Sequence, residues 1–228
     1  MRHDRGMPPK KPTTEAPSLD PVVLAPDLTP GDRYDLEDEA DLEGFGFADL
    51  DLDVLSLRDA SVFGSRLAGV RADEAELRGA TLTEVVLDRA DVPVLRGVRS
   101  RWRDVEVHGA RIGSAELYES SWHGVHLVGC KLGFVNLRGT VLHDVAFTDC
   151  TIDELDLVQA NATRVAFTGT RVRRLDVQAS TLAHVDLRGA DLHELSGVGS
   201  LRGVTISPPQ LAQLADLLAR DLGITVAD

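Results

Sequence analysis

ADLEG FGFAD LDLDV LSLRD ASVFG SRLAG at residues 40–69 opens a run of five-residue units that ends with STLAH VDLRG ADLHE at 180–194. The register holds from Ala40 to Glu194 without one insertion or deletion. The third residue of each unit is its centre, and 26 of the 31 centres are Leu, Ile, Val or Phe. The exceptions are Ala72, Gly97, Trp102, Trp122 and Ala162. The residue two before each centre is also always uncharged, which makes 62 positions without Asp, Glu, Lys or Arg in a chain that is 27% charged. Such positions face a dry interior, and the others face water.

A period of 20 lies over the period of five. Every twentieth residue from Ala40 is Ala, Ser or Thr, whereas the series from Phe45 becomes Val from Val85 to Val185. Such columns arise when each residue stacks on the one 20 positions away, so four units close one four-sided coil. About eight coils stacked at about 4.8 Å give a rod roughly 37 Å long. A helix is excluded, because a five-residue step cannot hold one helical face.

These units resemble the pentapeptide-repeat family, whose loose consensus is A-(D/N)-L-x-x. ADLEG at 40–44 and ADLHE at 190–194 match it outright; ADVPV at 90–94 and ANATR at 160–164 match with one change. The resemblance implies an all-β solenoid, a right-handed quadrilateral β-helix. It also implies a non-catalytic rod that binds a protein partner. The best understood members mimic duplex DNA and modulate DNA gyrase or a related type II topoisomerase, protecting it from quinolones or toxins. This chain departs from that pattern by carrying 17 basic residues among the 25 acidic ones of its repeats.

Three segments follow. Residues 1–39 read as a disordered, acidic N-terminal extension, 40–206 as the β-helix and 207–228 as a C-terminal helix and tail. The tail at 1–20 is Pro-rich and aperiodic, without the apolar core of a signal peptide, so a cytoplasmic setting is expected. In 207–223, Ser207 and Gln210 form a capping box, Pro208 suits the first helical turn and Gly223 suits the stop. The helix would cap the last coil. Leu211, Leu214, Leu217 and Leu218 are the candidate contact for a homodimer.

Glycine ends ten of the repeats, including Gly69, Gly79, Gly129, Gly139 and Gly189, which suits corners needing φ > 0. Trp102 and Trp122 should stack, with Gly97 giving room, as a size compensation in the core. Cys130 and Cys150 should be stacked, buried and reduced. His123 and His143 should be neighbours beside Arg103 and His126, with no third ligand in view, so neither a metal nor a cofactor is expected. Motifs for phosphate binding, nucleophilic catalysis and zinc are lacking, and the net charge of −13 argues against nucleic-acid binding. No stretch is apolar enough to span a membrane.

Overall fold

The computed structural model describes residues 14–226. Within them the chain winds as a parallel β-solenoid, and each strand pairs with the one a full turn away. Trp102 lies opposite Trp122, Leu132 opposite Ile152 and Val165 opposite Val185, all at an offset of 20. One parallel sheet wraps the first two sides of every coil, illustrated by Arg101–His108 and Ser121–Val128. A second sheet forms the third side, as in Arg111–Glu116. The fourth side is a turn. In the coil that carries Leu77, the Ala80 N–H donates to the Leu77 carbonyl at 3.1 Å while Gly79 sits at φ 69°. That is a hydrogen-bonded four-residue turn with its third residue left-handed.

None of the 62 inward positions is exposed. Where an inward residue is polar, it is small and bonds to backbone, either within its own coil, as Ser100 and Ser180 do, or one coil back. Thr140 Oγ1 donates to the Leu117 carbonyl and Thr170 Oγ1 to that of Phe147, both at 3.0 Å. The pairs Phe147–Phe167 and Trp102–Trp122 stack with ring centroids 5.0 Å apart, so like does pack on like. A Cβ on Gly97 would lie 2.7 Å from Leu117 Cδ2 and 3.6 Å from Leu77 Cβ, so the nearest side chains in the space this glycine leaves include leucines of the neighbouring coils and not the Trp rings. Trp102 Nε1 donates to Ser100 Oγ at 3.0 Å, whereas the buried Trp122 Nε1 has no partner.

The corners are left-handed, as expected, but not by glycine alone. Fourteen non-glycine residues have positive φ, among them Asp59, Asp104, Asp144 and Arg164. They fall at the last position of the repeat on three sides of the coil, while on the third side that position (Glu74, Glu154, Arg174) is not left-handed. Gly189 departs from the other nine repeat-ending glycines, as it lacks positive φ. It is needed instead for close approach, since a Cβ there would meet the Phe167 carbonyl oxygen at 2.4 Å.

Both ends are closed. The Val204–Thr205 strand pairs with Thr181–Asp186 and carries the solenoid to about nine turns, rather than eight. The helix Pro208–Asp221 then covers the last coil. Gln210 completes the capping box, accepting the Ser207 N–H at 2.8 Å, and its Nε2 also donates to the Leu187 and Ala190 carbonyls. One buried side chain thus starts the helix and stitches it to the rod. Gly223 at φ 71° ends it, with Ile224 N–H on the Ala219 carbonyl and Gly223 N–H on that of Arg220, a Schellman arrangement. No helix among the described residues is long and apolar enough to cross a membrane.

At the other end, Thr29–Pro30 pairs with Phe45–Gly46, Gly31 lies on the Phe47 ring and Leu36 is buried in the core. Residues 14–28 do not form a free tail. They run the length of the rod, from a contact between Thr14 and Thr205 to the first coil. Their composition is that of a disordered segment, yet the outer surface of the coils supplies the partners that their own sequence lacks. Residues 1–13 of the expected tail lie outside the described residues.

The register carries a direct test. Leu132 is 4% exposed, while its neighbour Lys131 points to water beside Arg111 and Thr151. Leu132→Asp should abolish cooperative folding, because it removes a core side chain worth about 2–5 kcal/mol and buries a charge. Lys131→Asp should shift stability by no more than about 0.5 kcal/mol. Circular dichroism melts of the two variants decide it, and similar melting temperatures would refute the register.

Candidate interaction surface

The outward residues form ladders parallel to the rod axis, and the ladders are charge-paired. Arg174 reaches Glu154 at 2.8 Å on one neighbouring coil and Glu194 at 3.0 Å on the other. Arg171 pairs with Asp191 at 3.1 Å, and Arg96 contacts both Glu74 and Glu76. These are mostly exposed pairs, worth little stability each. Their effect is on the field: on the third side, nine acids alternate with six bases, so no side carries an uninterrupted acidic stripe. Arg138 reads from the sequence as a free outward residue, but it donates from Nε to Asp156 at 2.6 Å, and Asp156 is only 4% exposed. A carboxylate at 138 would leave that acid facing a like charge.

The densest polar cluster lies at the corner of the first and second sides. The His123 and His143 rings stack at 4.7 Å with 5° between planes, as the 20-residue spacing requires. The third member is Asp144, 4% exposed, brought beside them by its left-handed φ of 56°. It is the ligand that spacing alone did not reveal, since position 144 is a corner whose side-chain direction follows from φ. His126 does not join this pair; its Nε2 lies 2.9 Å from Thr148 Oγ1. Arg164 reaches Asp144 from Nε and Nη2, both at 2.6 Å, and its Nη2 also lies 2.9 Å from His143 Nε2. The guanidinium therefore stands where a cation would bind the three donors. Together with the Ser18 N–H at 2.8 Å, Arg164 holds the Asp144 carboxyl at about 2, well below its ordinary value of 3.8. The arrangement is a neutralised structural node.

Among the described residues, the interior offers no ligand site of useful size. Its void, about 70 Å³, is lined by apolar side chains including Trp102, Trp122 and Phe147. Small-molecule sites need several hundred Å³. Cys130 and Cys150 are buried and free, each donating its S–H to carbonyls of its own and the preceding coil. The contact with Cys130, together with burial, pushes the Cys150 thiol far up.

The four leucines of the C-terminal helix divide. Leu214 is 7% exposed and belongs to the core, where the cap uses it. Leu217 and Leu218 pack against that core, half-buried, and Leu211 is 51% exposed. Leu214 is thus not free to meet a second copy.

Two outcomes follow from this geometry. Asp144 has a depressed folded pKa, so its contribution is complete above about 3.8 and is lost as pH falls toward about 2. Asp144→Asn should melt below the wild type at neutral pH, and the gap should close between pH 4 and 2; a gap independent of pH would refute the pairing. Separately, a thiol reagent should label Cys130 and Cys150 only after denaturation, counting two thiols without reductant.

No curated protein matches the chain. Among solved structures, full-length QnrB1, a plasmid-mediated fluoroquinolone resistance protein, is 19% identical, with 86% of this chain and 95% of that chain covered at a TM-score of 0.37. HetL, a pentapeptide repeat protein involved in heterocyst differentiation regulation from the cyanobacterium Nostoc sp. strain PCC 7120, is 18% identical, covering 74% and 90% at a TM-score of 0.38. The family model described as pentapeptide repeat region matches residues 120–196. Residues 120–196 thus resemble a pentapeptide repeat region, and the same five-residue register continues unbroken from Ala40 to Glu194.

Proposed function

We propose that this protein is a non-catalytic interaction rod that presents fixed ladders of side chains to a protein partner. The observation that carries the reading is the unbroken run of 31 units. With no insertion there is no protruding loop along the coils to build a cleft, and the side chains on each side stand at fixed spacings set by the backbone ladder. Catalysis needs groups converging in a water-poor pocket, and parallel ladders on flat sides diverge from one another. Recognition of another protein needs a rigid, preorganised surface, which the stacked coils supply.

A type II topoisomerase is a partner that the family resemblance suggests. Mimicry of duplex DNA would need a continuous negative field along the rod. Here the acids are interleaved with arginines from neighbouring coils, so the charge layout favours a partner that reads both signs. The homodimer through the C-terminal helix would rest on Leu211 together with the exposed Leu222, Ile224 and Val226, rather than on Leu214.

The test is cross-linked capture of partners from the source cell, repeated with Arg171→Glu/Arg174→Glu on the third side and Arg101→Glu/Arg103→Glu on the first. One pair should abolish capture while both variants keep the wild-type circular dichroism. Failure to recover any saturable protein partner would sink the reading. In parallel, the protein at micromolar concentration should leave the supercoiling activity of purified DNA gyrase unchanged. Inhibition that competes with duplex DNA would establish mimicry instead.

A further inference from the structure

The segment 14–28 lies in a lane along the second side and its corner with the first. Apart from the Thr14–Thr205 hydroxyl contact, its hydrogen bonds to the coils are made by backbone. The Glu15 N–H donates to His184 Nδ1 at 3.3 Å, the Ser18 N–H to Asp144 Oδ1 at 2.8 Å, and the Val22 N–H to Glu106 Oε1 at 2.9 Å. From residue 15 to 18 the strap passes two coils, about 3.2 Å per residue, which is the rise of an extended chain. Pro17, Pro21 and Pro26 punctuate it, and each proline holds its own φ near the extended value without an N–H to satisfy.

The lane is built to receive such a chain. Its outward column mixes the small or apolar Gly46, Val86, Ala146 and Ala166 with Arg66, Glu106, His126 and Asp186, whereas the third side's column from Asp51 to Asp191 is charged at seven of eight positions. Val86 and Ala146 point outward from the solenoid and are nevertheless only 8% and 9% exposed. The rod itself also holds the carboxylates that take the strap's N–H groups: Arg164 bonds Asp144, and His108 Nε2 lies 2.8 Å from Glu106 Oε2. Burial alone would raise the Glu106 carboxyl, yet the Val22 N–H and His108 keep it below its ordinary value. The strap itself is lightly held. None of residues 14–28 is fully buried, and Val23 is 83% exposed.

We propose that this lane is the rod's docking surface for an extended peptide segment, and that residues 14–28 are a built-in occupant which a partner's segment must displace. This rests on the interaction-rod reading and adds to the charged sides a second point of contact, which takes an extended segment of the same partner. Recognition is through backbone N–H groups offered to Glu106 and Asp144 at two-coil spacing, with small apolar side chains laid on Val86, Ala146 and Ala166. The ligand chemistry is that of the strap: an extended, proline-punctuated chain without basic residues.

The test uses the full chain with Ser18→Pro and Val22→Pro. These remove the two N–H donors, keep the strap extended and leave every residue of the rod unchanged. The probe is a fluorescein-labelled synthetic peptide of residues 14–28, read by anisotropy. The strap of the variant should become cleavable by thermolysin near Val23 and Leu24 while the rod's melt stays unchanged. The peptide should bind the variant with a Kd at least about tenfold lower than the wild type, as expected if the strap fills the lane about nine-tenths of the time. A peptide carrying the same two prolines should not bind. A strap that stays resistant in the variant overturns the proposal. So does a released variant that ignores the peptide, or equal binding to both chains. A captured partner that is not displaced by the peptide would remove the lane while leaving the interaction rod intact. Peptide binding without any captured partner would do the reverse.

Discussion

Everything in this structure depends on the stacking of each residue on its counterpart one turn away. Backbone ladders between coils set positions 20 apart opposite one another, so each inward side chain must pack on a neighbour of matching size. The columns answer this with like on like: Val85, Val105, Val125 and Val145 are all fully buried, and the Phe147–Phe167 and Trp102–Trp122 pairs stack. A charge on any inward position would be confined between two coils with no room to reach water. The outward ladders inherit the same spacing, which is why arginines meet carboxylates almost entirely across neighbouring coils.

What the sequence made legible is what repeats. The inward set, the Trp and Cys stacking, the His123–His143 pair and the caps of the C-terminal helix all follow from spacing or from local capping chemistry. What it did not show involves a single occurrence. Asp144 joins the histidines because its backbone is left-handed, and an aspartate in that conformation cannot be told from a glycine corner by periodicity. Arg138 anchors Asp156 through a contact made once in the chain. Residues 14–28 read as disordered because their order comes from partners 84 to 169 residues away, contacted through N–H groups that every non-proline residue has. The leucine stripe of the helix was visible, but not how much of it the last coil would take; the core claimed Leu214 and left Leu211 outside.

The corners show how far this backbone constrains the residues on it. A left-handed conformation is ordinarily avoided by residues with a Cβ, and this solenoid places arginines, glutamates and an alanine there. Asp49, Asp59, Asp104 and Asp149 each lie one turn before a glycine, and in each pair a Cβ on the later residue would crowd the aspartate's Oδ1. Corner composition is thus partly paired between coils. The strap adds a second layer, because its lane is made of outward residues chosen for what lies over them rather than for contact with water.

The column structure also restricts how such a chain can change length over evolutionary time. Losing five residues would leave every inward position inward, yet it would turn all later columns by one side, so that at the junction between the earlier and later coils Val would be set against Ala. Losing or gaining 20 would leave every column aligned with itself. Gain of a whole turn is therefore the change of length that leaves no mismatched junction, and each added turn moves the two caps about 4.8 Å further apart. A strap that spans both ends is then a ruler. Thr14 meets Thr205 at one end and Thr29 meets the first coil at the other. A lengthened rod would need a longer strap to close the same two contacts, so the extension and the number of turns are bound to vary together.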